Sequence, residues 1–264
     1  MIPGMAVAGP HRSHLLTIVS VALLAYALDD LVHEVLGHAA ACAWLGVRML
    51  GLSTIGLQTA SSSRAVAAAG AIANVVVGAA VLLGLRRPRR FRTGTWFMWL
   101  FGFVNLMNGT GYLMASALTG SGDWAVVIAG REPAIAWRAG MGLIGGVAFA
   151  GSVRWAGAIL RGWVAAGEVA PADVPRLTGV PYLAGGFLFV LASVFNPVGP
   201  SMILLSGAAA SFGLTFGLLI VMRAEVPAPA HAVPAPLPLQ WGWVAAGLLV
   251  AAGFVAILGP GVRF

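Results

Sequence analysis

Three acids and two histidines crowd into ten residues of this chain: Asp29-Asp30-Leu31-Val32-His33-Glu34-Val35-Leu36-Gly37-His38. That window lies inside a long apolar run, where an ionisable side chain costs about 2.5–3.5 kcal/mol on insertion scales. It holds three of the chain's eight acids and two of its five histidines, so scatter is a poor account of it. Imidazole and carboxylate are zinc ligands, and a divalent cation offsets the cost of burying them. The string HEVLGH is one residue longer than H-E-x-x-H, in which two ligands sit one helical turn apart with a glutamate as general base. At 3.6 residues per turn, His33 and His38 stand about 140° apart on a regular helix.

Two geometries restore a site. A π-bulge near Gly37 brings the i, i+5 pair onto one face, and such bulges often mark functional sites. Alternatively the helix stays regular, and Asp30, Glu34 and His38 form an i, i+4, i+8 stripe that binds metal. The bulged form is the favoured expectation. It leaves Glu34 as the base acting on a metal-activated water. Asp30, one turn earlier, would orient an imidazole from behind.

The elements that position this cluster are membrane helices. Of the 264 residues, 59% are hydrophobic and only 9% charged, with a mean hydropathy of +0.93. Soluble domains carry about a quarter charged residues, so such a chain cannot cover a surface facing water. Apolar runs of about 20 residues match the thickness of the hydrocarbon core. The expected fold is therefore an all-α polytopic membrane protein of about seven transmembrane helices, with the metal site in the first. Spans are predicted near 15–47, 64–85, 95–118, 137–160, 180–195, 201–222 and 241–259. A lead (1–14) precedes a core (15–130). Additional helices follow (131–223), with an interfacial segment at 161–178. A Pro/Ala-rich linker (224–240) and the last helix (241–264) complete the plan. Residues 48–63, rich in Gly, Ser and Thr, read as irregular or short extended structure. Their stretch Leu52–Thr59 could hold an unwound peptide as an added strand.

The formal net charge of +7 comes from 15 arginines and no lysine. These arginines flank apolar runs rather than line a hydrophilic face, which excludes nucleic acid and points to lipid and orientation. With seven crossings, Arg12, the run RRPRRFR, Arg161, Arg176 and Arg223 share one side, and the bias puts the amino terminus in the cytoplasm. Integral, multi-pass placement in a bacterial-type plasma membrane is the expectation. Cys42 is alone, so no intrachain disulfide or cysteine metal cluster forms. Trp96, Trp99, Trp124, Trp137, Trp163, Trp241 and Trp243 fall mostly near predicted span ends, as an aromatic belt would place them.

HEVLGH is similar to the H-E-x-x-x-H form of dipeptidyl-peptidase III, a soluble zinc enzyme whose version also ends in Gly-His; the longer spacing can therefore serve zinc. Its place in the first of several membrane helices resembles instead the site-2 protease family of intramembrane zinc metallopeptidases. Ala69-Gly70-Ala71-Ile72-Ala73-Asn74 resembles that family's Ala-Gly-Pro-x-x-Asn segment, with Ala71 where proline is usual. The likeness covers roughly residues 25–125. It implies a zinc-dependent endopeptidase acting on membrane-protein or peptide substrates, with one zinc per chain. His33 and His38 would be ligands and Glu34 the catalytic base. The family's third ligand is an aspartate in an Asp-Gly pair, which this chain lacks. Asn105-Leu106-Met107-Asn108-Gly109 occupies the corresponding helix without a carboxylate. Asp123, just after that helix, is the assigned third ligand and Glu132 the fallback. Asn74, Asn105 and Asn108 are supporting residues, although asparagines in lipid most often join helices by hydrogen bonds.

Two other functions fit the composition. One is a proton- or cation-coupled transporter that uses Asp29, Asp30, Glu34 and His38 as a relay. It predicts an inverted repeat, and the carboxyl-terminal spans carry no matching acids. The other is a non-catalytic, protease-like membrane scaffold.

Overall fold

The computed structural model describes residues 12–86, 90–199, 201, 203–223, 234 and 236–264. Most of the lead, residues 87–89 of the arginine run and most of the linker 224–240 lie outside the described residues.

Apolar residues dominate each helix on all sides, as expected where lipid replaces water on the outer face. Helix α1 (Leu15–Leu31) runs without a break into a π-helical segment (Val32–Ala39) and then α2 (Ala40–Leu45). Gly46, at φ 68°, ends this rod in the left-handed conformation that glycine adopts at no steric cost. A hairpin follows, β1 (Met49–Ser53) and β2 (Gly56–Thr59). Ser63 caps α3 (Arg64–Gly84) by accepting the Val66 N–H. Then come α4 (Thr93–Thr119), the short α5 (Asp123–Ile128) and the long α6 (Ala134–Ala165). A 3₁₀ turn (Pro171–Asp173) leads into α7 (Val174–Val194). A second π-helical segment (Ile203–Gly213) precedes α8 (Gly217–Met222). Last are α9 (Trp241–Gly253), a π-helical end (Phe254–Leu258) and β3 (Val262–Arg263).

Five helical rods are long and apolar enough to cross a membrane: Leu15–Leu45, Arg64–Gly84, Ala134–Ala165, Pro171–Val194 and Trp241–Leu258. The predicted total of about seven is thus not reached among the described residues. Helix α4, expected as the third span, has 27 residues, yet glycine, threonine, Asn105 and Asn108 lower its apolarity, and it lies in the middle of the bundle. Within the predicted interfacial segment 161–178, the 3₁₀ turn Pro171–Asp173 stands between two long helices. The segment's first residues finish α6 and its last ones begin α7.

One core joins α1, α4, α6 and α7 through Tyr26, Trp96, Trp99, Phe103, Leu160 and Leu177, each with 2% exposure or less. Trp96 and Trp99 are therefore core side chains rather than belt residues, and the indole N–H of Trp99 donates to the Ala156 carbonyl at 2.9 Å. Trp137 and Trp241 remain exposed. So do Leu143, Ile144 and Val147 on α6, and Phe187, Leu191 and Val194 on α7, an outer surface suited to lipid.

Among the described residues, the departure from an all-helical plan is a three-stranded antiparallel sheet in the order β2-β1-β3. Gly51 and Leu52 of β1 pair with Arg263 and Val262, more than two hundred residues away.

Candidate metal centre

The five-residue spacing of the histidines is accommodated by the π-helical segment Val32–Ala39. Its wider turn places the two imidazole rings 4.7 Å apart, edge to face. The regular-helix stripe of Asp30, Glu34 and His38 is thereby ruled out as the ligand set, since this stretch is not a regular α-helix. Val35 and Leu36, the residues between Glu34 and Gly37, are 39% and 60% exposed, so the extra residue of the longer spacing is carried on the lipid side.

Each imidazole is fixed from behind. Asn74 Oδ1 lies 2.6 Å from His33 Nδ1, and the Val66 carbonyl lies 2.6 Å from His38 Nδ1. A carbonyl oxygen only accepts, so both Nδ1 atoms donate, and both Nε2 lone pairs are left for the site. They face one carboxylate oxygen. Asp123 Oδ2 stands 3.0 Å from His33 Nε2 and 3.3 Å from His38 Nε2. Asp123 comes from the first residue of α5, which packs against α3.

With both Nδ1 atoms protonated, each neutral imidazole presents an Nε2 lone pair, and with Asp123 Oδ2 the three converge as donors to a cation. All three ligand atoms lie within 4.8 Å of one another, so His33, His38 and Asp123 can together hold a metal ion. Tetrahedral coordination with bonds of about 2.0–2.1 Å requires ligand atoms roughly 3.3–3.4 Å apart, and the two measured edges fall at or just under that. The donor set can hold a metal ion.

Glycines make the room. A Cβ on Gly70 would lie 2.6 Å from both Nε2 atoms, and a Cβ on Gly37 would lie 2.4 Å from the Gly70 Cα. The π-helical segment and α3 can approach this closely only because both positions lack side chains.

Behind His33 a polar chain runs across three helices. Asn74 Nδ2 donates to the side chain and carbonyl of Asp29, at 2.8 and 3.2 Å, and to Asn105 Oδ1 at 3.0 Å. Asn108 Nδ2 donates to the other Asp29 oxygen. The carboxylate that steadies the imidazole is therefore Asp29 acting through Asn74. Asp30, expected in that role, has a buried oxygen with no partner and points into a cavity instead. Helical rotation decides between the two neighbours: Asp29 lies toward α3, and Asp30 does not. Glu132, the fallback ligand, is exposed and accepts the Ala134 N–H at the start of α6. It lies outside the cluster.

Glu34 is 94% buried by residue exposure, next to both imidazoles and Asp123, and its Oε2 has no hydrogen-bond partner. The backbone amide of Leu57 on β2 lies beside its carboxylate, and the hairpin packs against the π-helical segment there. Sequence reading missed Asp29, the Val66 carbonyl, Gly70 as a spacer, and the Leu57 amide. Only Gly70 carried a signal, within the small-residue segment Ala69–Asn74.

No family model, curated protein or solved structure matches this chain.

Proposed function

We propose that this chain is a metal-dependent intramembrane endopeptidase, with Glu34 as the acid–base residue and His33, His38 and Asp123 as the metal ligands. The observation that carries the reading is the convergence of two imidazole Nε2 atoms and one carboxylate oxygen beside an unpartnered glutamate, all inside a bundle of apolar helices. Zinc is the metal that this donor set and the resemblance to the site-2 protease family favour. Bound there, it would supply Lewis acidity, lowering the pKa of a water and polarising a carbonyl.

The chain's own residues do the rest. Glu34 Oε2 has no other hydrogen-bonding duty, so it can accept a proton as water attacks the scissile carbonyl. It then returns that proton to the amine nitrogen as the C–N bond breaks. Asn74 and Val66 keep both imidazoles in the tautomer that presents Nε2. The β2 strand lies at the edge of its sheet, where an extended peptide can pair alongside it and bring its carbonyl toward Glu34. The arginine distribution favours a cytoplasmic amino terminus.

The deciding experiment is metal analysis of the detergent-purified protein beside cleavage of a membrane-inserted peptide. Wild type should carry about one zinc per chain. His33→Ala, His38→Ala and Asp123→Ala should each lose it, and Glu34→Gln should keep zinc but cleave nothing. A wild type free of metal, or a Glu34→Gln variant as active as wild type, refutes the reading.

A further inference from the structure

A cavity of about 40 Å³ opens beside Glu34 and His33, continuous with the candidate metal site and lined by α1, the β1–β2 turn, α4 and α7. Its polar wall is unusual in what it lacks. Asp30 Oδ2, Glu34 Oε2, Thr54 Oγ1 and Asn108 Oδ1 are all buried, all line this cavity, and none has a hydrogen-bond partner. Asp30 and Thr54 are 8% and 3% exposed. Buried polar atoms are paired in the great majority of cases, so four orphans on one cavity are the imprint of something that belongs there.

The chemistry of that occupant follows from the orphans. Asn108 uses its amide hydrogens on Asp29, so its Oδ1 can only accept. When ionised, Asp30 Oδ2 and Glu34 Oε2 are acceptors too, and an occupant that donates hydrogens and carries positive charge is what keeps buried carboxylates ionised. A second metal is a poor candidate, because His33, His38 and Asp123 form the only metal-type cluster found among the described residues. The remaining wall is apolar, with Ile55, Phe189 and Leu214. Acceptors on one side and apolar surface on the other suit an ammonium carried on an aliphatic stem, whose three N–H groups match Asp30, Thr54 and Asn108.

We infer that this cavity is a specificity pocket for a lysine side chain next to the scissile bond, with Asp30 as its charge partner. The inference rests on the peptidase reading, since Glu34 joins the pocket to the metal site. Glu34 Oε2 stays free for the water, while the ammonium takes the other three acceptors.

The test has two arms on the zinc-loaded full chain in detergent. In the first, n-butylammonium and n-butanol are compared as probes of thermal melting. The ammonium should raise the melting temperature of wild type and the alcohol should not, and the difference should vanish in Asp30→Asn. Equal effects of the two probes, or an undiminished ammonium effect in Asp30→Asn, overturn the pocket. In the second arm, a peptide library is cleaved and sequenced. Lysine should be enriched at one position flanking the cut, and Asp30→Asn should reduce its preference over norleucine by about tenfold or more. If Asp30→Asn does not fold, Thr54→Val removes one of the three acceptors and should weaken both readouts. Cleavage with no preference for lysine overturns the inference and leaves the peptidase reading standing. A wild type that holds zinc yet cleaves nothing overturns that reading, and the melting arm still decides the pocket.

Discussion

At the scale of single residues, the site is a problem of hydrogens. His33 can offer Nε2 to a metal only while Nδ1 keeps its proton, and Asn74 Oδ1 at 2.6 Å is what keeps it there. Asn74 in turn is oriented by Asp29 and Asn105, each of which accepts from its Nδ2. Replacing Asn74 by alanine should therefore leave all three ligands in place but lower zinc affinity by about 10–100-fold, the usual cost of losing such a partner. Competition against a chelator of known affinity measures this, and an unchanged zinc constant would show that the chain behind His33 has no influence on the metal. His33, Glu34 and His38 stood out in the sequence because ionisable groups in an apolar run demand a reason. The role of Asp29 was not legible, because two adjacent carboxylates differ only by the 100° step between neighbouring helical positions. Which of them meets Asn74 depends on where α3 lies. Asp123 was found through its place just after the Asn105–Gly109 helix; its meeting with the histidines needs the turn at Gly120–Gly122 and the docking of α5 on α3.

At the scale of elements, one residue decides the geometry. HEVLGH has three residues between Glu34 and His38 where the shorter motif has two, and the helix absorbs the surplus by widening into π-helical turns. Because Val35 and Leu36 face outward, the surplus costs no contact with α3. Deleting Leu36 should convert the segment to HEVGH on a regular α-helix, with the histidines one turn apart and Gly37 still beside His38. Zinc stoichiometry should stay near one per chain. Deleting Ala71 in α3 as a control should lower zinc affinity at least as far as Asn74→Ala does, because it rotates Asn74 away from His33. Loss of zinc in the Leu36 deletion would mean that the π-helical form itself, and not merely the shared face, is needed. The bulge could be anticipated because periodicity is a local property of the chain. The hairpin was legible only in part: residues 48–63 read as irregular or short extended structure, but Met49–Ser53 and Gly56–Thr59 are short and rich in glycine and polar residues, and part of what makes β1 a strand comes from Val262 and Arg263. No local pattern reports a partner so distant.

At the scale of the whole molecule, that distant pairing gives the carboxyl-terminal half a place in the chemistry. Helix α9 packs along α1, and the chain then turns through Phe254–Leu258 to lay β3 against β1. The Thr54 N–H donates to the Leu258 carbonyl and the Phe264 N–H to the Leu50 carbonyl, both at 3.0 Å. The end of the chain thus braces one side of β1, and β1 holds β2, whose Leu57 amide lies beside Glu34. A two-stranded hairpin is marginal by itself, whereas a third strand gives it independent support. Removing residues 260–264 should accordingly leave the metal ligands untouched, since none of them contacts this end, while loosening the cover over Glu34. Zinc content should match wild type. Amide exchange should rise across Met49–Thr59 and stay unchanged in α3, and peptide cleavage should fall by about tenfold, in line with the sensitivity of general bases to small displacements. Exchange that rises everywhere would instead identify the tail as a global fold element. Full activity with a loosened hairpin would free β2 of any part in holding Glu34 or the substrate.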